Sequence, residues 1–323
     1  MSIRIIGFGK YLPQNKVGNS FFAAHFDETE ENIFLQSGVL TRHKAMVLDT
    51  ETTEKMGAMA IKKACAMAEI QPKDLDVIIN VSAIPSQAIP DTSVLIQKEL
   101  GLGSSGISCF SIHATCLGFL RGMEVLTGLF QLGQYQKAVI VSSEIASIGL
   151  NPQDRHTYPL FGDGAVAFVF EKSANQHVLS MLFQSFGDYS GAAVVKGGGS
   201  KLPPSEASSQ EYFFDMKGVL LLKYSLRFGK TFLSELFSDE LDISVIDWVI
   251  PHQPSRIGLR AMHRLFPREK MINSLQEYGN CISASLPLSL MKGIEEGKIK
   301  RGDKLLLIGT GAGLSLGGII LIY

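Results

Sequence analysis

The sequence predicts an α/β protein made of two similar halves, and three observations carry that expectation. Strand-like apolar runs alternate along the chain with segments of helical periodicity. Several segments of the first half recur in the second, in the same order. The C-terminal stretch, rich in glycine and free of charge, reads as two strands around a tight turn.

Taken in order, the opening MSIRIIGFGK reads as a first strand, without the basic n-region and long apolar run of a signal peptide. Thr53–Glu69, rich in Ala, Met and Lys at helical spacing, reads as a helix. Val77–Ser82 and Val139–Ser143 read as buried strands. Between them, Ala114–Gln131 is apolar nearly all round, which predicts a buried helix. The echoes follow: Asp76-Val-Ile-Ile-Asn against Asp247-Trp-Val-Ile-Pro, Gln136-Lys-Ala-Val-Ile-Val-Ser against Asp303-Lys-Leu-Leu-Leu-Ile-Gly, and the run from Gly162 against that from Gly311. They divide the chain into halves expected at 1–172 and 173–323, packed as one unit. The Gly/Pro/Ser segment 197–210 reads as a linker between the halves or as a loop bordering the active site, the linker being the simpler reading.

Composition narrows the function. Of 323 residues, 46% are hydrophobic and 19% charged, with a net charge of −1, so no basic surface argues for nucleic acid or an anionic membrane. Leu305–Tyr323 is long enough to span a bilayer, but its five glycines fit a strand–turn–strand instead. Cys65, Cys109, Cys116 and Cys281 without a signal peptide imply reduced thiols and a cytoplasmic protein; no Cys or His spacing suits zinc. The glycines from Gly309 to Gly318 lack the Lys-Ser/Thr of a phosphate loop and have no helix after them.

Three residues stand where chemistry collects. Cys116 lies where a strand-like stretch gives way to the apolar helix, and a helix N-terminus stabilises a thiolate and an oxyanion. A small buried thiol is the plain alternative. His252 ends the strand Trp248–Pro251, at the edge where α/β sheets bind ligands, although a hydrogen-bonded structural histidine also fits. Asn280 follows Gly279 before a small-residue helix, where asparagine serves equally as a turn residue.

Together these segments resemble the β-ketoacyl-ACP synthase III family, the initiating ketosynthases of the thiolase superfamily. The resemblance runs from Gly7-Phe-Gly-Lys-Tyr-Leu-Pro to Gly317-Gly, through Cys-x-Gly-Phe at Cys116, Phe161-Gly-Asp-Gly-Ala, Pro251-His-Gln, Tyr278-Gly-Asn and Gly311-Ala-Gly. It implies a homodimer of five-layered αβαβα subunits, each made of two similar halves. It implies that Cys116 takes an acyl group from a thioester, and that His252 and Asn280 hold the thioester carbonyl of malonyl-ACP as CO₂ leaves. The backbone N–H groups of Cys116 and Ala312 would form the oxyanion hole. No metal or organic cofactor is implied; the partners are acyl carrier protein and an acyl thioester, with neither nucleic acid nor membrane. Phe161 and Arg155 count among the substrate-binding positions, Arg155 as a basic coenzyme A contact.

The chain departs from this pattern at its donor site. Asn32 and Gln36 stand where the acyl-CoA enzymes of the family carry a Trp and an Arg, Ile89 where they carry a Phe reaching across the dimer, and Ser255 where they carry an Asn. These departures predict a donor longer or bulkier than acetyl and leave open whether coenzyme A or a carrier protein delivers it. Arg256, Arg260 and Arg264 would line one face of a helix after His252 and are expected to dock the acidic carrier protein. Two rival readings are an acyltransferase moving the acyl group to oxygen or nitrogen, and a non-catalytic subunit of a heterodimeric synthase. Asn280 argues against the first and the intact Cys-His-Asn set against the second.

Overall fold

The computed structural model describes residues 3–46, 50–237 and 241–323. Its first sheet has the spatial order Ile3–Tyr11, Gly164–Lys172, Lys137–Glu144, Val77–Asn80, Ser108–Ser111. The first two junctions are antiparallel and the last two parallel. In the second sheet the order is Val178–Ser185, Ser315–Ile322, Lys304–Gly311, Trp248–Pro251, again antiparallel, antiparallel, then parallel. A parallel bridge from Val249 to Met271 stands where a fifth strand would pair.

The sequence echoes fall on topologically equivalent strands. Asp76 accepts from the Gln136 and Lys137 amides, and Asp247 does the same for Lys304. In each case the aspartate's own N–H returns to the lysine carbonyl at 2.9 Å. The aspartate therefore pins the start of one central strand to the start of its parallel neighbour.

Two helices fill the space between the sheets. Gly118–Gln131 buries Phe119, Leu120, Met123, Leu126 and Phe130, while Ser285–Glu295 buries Leu286, Leu288 and Leu290. Each such side chain contributes roughly 1.5–3 kcal/mol on full burial, so this middle layer is where the halves are held together. Thr53–Met67 covers the outer face of the first sheet and Gly218–Leu236 that of the second.

Both middle helices begin alike. Thr115 (φ 48°) opens a single 3-10 turn, Thr115–Leu117, before Gly118; Ile282 (φ 50°) opens Ile282–Ala284 before Ser285. A non-glycine residue in this region costs of the order of 1–3 kcal/mol, and such residues cluster at functional sites.

Several expectations change. The first strand starts at Ile3, with Met1 and Ser2 outside the described residues. The 53–69 helix ends at Met67 and the 114–131 helix starts at Gly118, so Cys116 sits on the turn before it. Segment 197–210 does not join the halves, because the strand Val178–Ser185 of the second sheet already precedes it. It closes over a short hairpin pairing Ala193–Val194 with Asp215–Met216. Beyond it, Phe214 donates to the Gly149 carbonyl and meets Phe161 edge-on at 5.6 Å. The C-terminal apolar stretch is a hairpin, and no described helix is long and apolar enough to cross a membrane.

Candidate active site

Three chain turns converge beyond the C-terminal ends of the parallel strands. The Cys116 turn lies against the hairpin Lys304–Gly311/Ser315–Ile322. A Cβ at Gly309 would stand 2.9 Å from the His252 Cβ and 3.2 Å from Leu117, and one at Gly311 would stand 2.8 Å from the Thr115 hydroxyl. Only glycine lets the hairpin come this close to both the cysteine turn and the histidine.

His252 follows its strand directly, its N–H donating to Ile308 O at 2.8 Å. Buried Gln253 fixes the strand end: its amide N–H donates to Pro251 O, and its carbonyl accepts from the Ser274 and Leu275 N–H groups. Asn280 is held through its backbone, which bridges to Phe161, and through its side chain. The side-chain oxygen accepts from Ile282 N at 2.9 Å and Ser285 Oγ at 3.2 Å, which leaves the NH₂ group as the free end, with one contact to Pro254 O at 3.3 Å. Asn280 therefore reaches the segment just after His252 and presents a donor.

Unsatisfied atoms mark the same place. His252 Nδ1 and the Thr115 hydroxyl are buried without a hydrogen-bond partner among the described residues. Each such group costs about 1–3 kcal/mol when left unpaired, and both border the cysteine turn and the hairpin.

The electrostatics differ from the sequence expectation. Burial, reinforced by the nearby Glu144 carboxylate, pushes the Cys116 thiol up to about 12, which outweighs the helix terminus. Burial alone brings His252 down to about 4, so its imidazole is neutral. Glu144, at the end of Lys137–Glu144 and wholly buried, is raised to about 7 by burial. Sequence reasoning passed over this residue because Ser142-Ser143-Glu144 reads as the polar exit of a strand; its position at a strand's C-terminal end was the available signal.

The other expected site residues are distributed as follows. Ala312 stands in the hairpin turn, half-buried. Phe161 is buried behind Asn280, as a support. Ile89 is 85% exposed, on the loop before the helix Thr92–Glu99. Ser255 caps the helix Arg256–Met262, accepting from Gly258 N. Asn32 and Gln36 are exposed on Glu30–Ser37, but Arg155 is not a free cation: its guanidinium pairs with Glu28 at 2.6 Å, and Gln36 donates to the same carboxylate.

The arginine stripe is also corrected. The helix ends at Met262, and residues 263–266 tighten into a turn ahead of Pro267, so Arg264 lies off the helix. Arg256 is half-buried, donating to Leu35 O and lying over Phe34. Arg260 is the exposed cation of that helix. Among the described residues no group of three His, Cys, Asp or Glu side chains could hold a metal.

The comparisons bear on this arrangement. The family described as 3-oxoacyl-[acyl-carrier-protein] synthase III matches residues 110–187, and its C-terminal counterpart matches 236–323. The chain is 32% identical over 327 aligned residues to the beta-ketoacyl-[acyl-carrier-protein] synthase III of Neisseria gonorrhoeae, covering 99% of each. It belongs to this family. The first matched region contains the Cys116 turn, and the second contains His252, Asn280 and the hairpin. The synthase III of Methylococcus capsulatus is 31% identical, over 99% of this chain and 98% of its own. The crystal structure of 3-oxoacyl-[acyl-carrier-protein] synthase III from Aquifex aeolicus superposes with a TM-score of 0.88 at 30% identity, over 99% of this chain and 100% of that one. The chain therefore has the thiolase fold of the synthase III enzymes.

Proposed function

We propose that this synthase III-family enzyme condenses an acyl group with malonyl-ACP to give a 3-oxoacyl product in fatty-acid or related biosynthesis. The observation that carries the reading is the convergence of a cysteine, a neutral histidine and an amide donor at one enclosed place. Cys116 attacks the donor thioester; the Sγ–acyl bond forms and the donor thiol leaves. Malonyl-ACP then loses CO₂, and the resulting enolate oxygen takes hydrogen bonds from the His252 ring N–H and the Asn280 NH₂. The enolate carbon attacks the acyl thioester, and Cys116 is released as the C–C bond forms. The N–H groups of Cys116 and Ala312 hold the oxyanions. No cofactor enters this scheme.

The enzyme works in the cytoplasm as a homodimer of subunits with halves 1–172 and 173–323. The strand Ser108–Ser111 is the open edge of the first sheet, one turn from Cys116, and a second copy added there would continue the sheet. Exposed Ile89 would then face the partner.

The donor is bulkier than acetyl and carrier-borne. Glu28 supports this reading, because its carboxylate already pairs with Arg155, the basic contact expected for coenzyme A, and neutralises it. Missing a stacking ring and a phosphate-pairing cation weakens coenzyme A binding by roughly ten- to several-hundred-fold. Carrier docking falls chiefly to Arg260, with Arg256 and Arg264 beside it. The test compares Cys116 acylation, followed by mass spectrometry, with acetyl-CoA, octanoyl-CoA and octanoyl-ACP, and then 3-oxoacyl-ACP formation with malonyl-ACP. Octanoyl-ACP reacts fastest, and Arg260→Glu with Arg264→Glu slows turnover with malonyl-ACP and flattens its salt dependence. Fastest reaction with acetyl-CoA removes the donor reading, and unchanged kinetics in the charge-reversed variant removes the docking face.

A further inference from the structure

Glu144 is a buried acid for which the scheme above has no use. One oxygen accepts from Ala83 N at 2.6 Å and from the Ser283 hydroxyl, and the other from Ile84 N at 3.2 Å. Ser283 lies on the turn after Asn280, and its Cβ stands 3.3 Å from where a Cβ on Gly118 would be. The carboxylate thus sits behind the wall that Gly118 and Ser283 make, beside the Cys116 turn.

Among the described residues, its hydrogen-bond partners are two backbone amides and a hydroxyl, none of them a cation. The ionisable groups facing it are the Cys116 thiol from the first half's turn and Cys281 from the second's. Asp163 lies beyond Cys281, and Glu54, on Thr53–Met67, takes the hydroxyl of Ser86 two residues past Ile84. All are acids. Among the described residues no Lys, Arg or His bonds to Glu144. A thiolate at Cys116 beside an ionised Glu144 would place two like charges in one desolvated space, which costs more than moving a proton between them.

We propose that Cys116 and Glu144 form a coupled acid pair carrying one negative charge between them, and that the reactive form is thiolate Cys116 with protonated Glu144. The proposal rests on Cys116 being the nucleophile. The proton lost by Cys116 is then held on Glu144. When an acyl thioester reacts, the Sγ–acyl bond forms, the donor's acyl–sulfur bond breaks, and the donor sulfur leaves as a thiol with that proton. Glu144 returns to carboxylate beside a neutral acyl-enzyme.

Such a pair has a distinctive pH signature. The microstate with thiolate and protonated carboxylate contains as many protons as the one with thiol and carboxylate, so its share stops rising once Glu144 titrates. The rate of iodoacetamide labelling at Cys116, read by mass spectrometry of its peptide, therefore climbs tenfold per pH unit up to about 7 and then levels. In Glu144→Gln the climb continues unbroken, so at one unit past the break the variant reacts about tenfold faster. Glu144→Asp keeps the break. An unbroken wild-type profile overturns the proposal even if Glu144→Gln fails to fold, and so does a break that persists in the folded Gln variant. Because labelling needs no malonyl-ACP, a break in an enzyme that makes no 3-oxoacyl product would sink the proposed function and leave the acid pair standing.

Discussion

Replacing Cys116 with alanine is expected to abolish acylation by every thioester and to lower turnover by roughly 10⁶, the scale seen when a covalent nucleophile is removed from an enzyme whose remaining groups act only with it. No other thiol can substitute. Cys65 and Cys281 are fully buried, and Cys109 lies within the strand Ser108–Ser111 with its thiol turned to Ile107 O, away from the turn that carries Cys116. Intact-mass measurement after incubation with acyl-ACP shows one added acyl group in the wild type and none in the variant. A Cys116→Ala protein that acquires the acyl group would place the nucleophile elsewhere.

His252→Ala and Asn280→Ala should separate the two half-reactions. Each variant still takes the acyl group on Cys116, because neither side chain bonds the thiol, while CO₂ release from malonyl-ACP falls about 10²–10³-fold, the usual loss for one oxyanion donor. The pH dependence adds a second measurement. Burial holds His252 near 4, below its ordinary 6.5, so the ring gains a proton only as pH falls through about 4. Decarboxylation by the acylated enzyme therefore shows no histidine inflection between about pH 5.5 and 8. An inflection near 6.5 that vanishes in His252→Ala would mean the ring titrates as an exposed one does. Full-rate CO₂ release by either variant would remove that residue from the site.

The legibility of the sequence varied with the range of the interaction. Strand positions and their order could be read, since buried parallel strands are continuous apolar runs and Asp76 and Asp247 flag their starts. Cys116, His252 and Asn280 were legible as reactive types at element junctions. What escaped depends on residues far apart in sequence. Glu28 and Arg155 meet across 127 positions, and nothing local marks either as spoken for. The burial of Glu144 and its effect on the thiol follow from packing, which opposed the helix-terminus argument and outweighed it. The helix after His252 ends at Met262, short of Arg264, a boundary that the three-arginine spacing does not encode. Composition identified 197–210 as a loop but not which side of the boundary it occupies.

The repeated opening of the two middle helices has a consequence for how the labour is divided. Thr115 and Ile282 occupy matching places, and the residue after each is Cys116 in one half and Ser283 in the other. The chain has thus made the same strained corner twice and armed one of them. Its unarmed twin gives a hydroxyl to Glu144 and carries Asn280 just upstream. The near-symmetry brings two equivalent corners face to face, and in the proposed scheme its breaking by one sulfur assigns the acyl group to one corner and the incoming carbanion to the other.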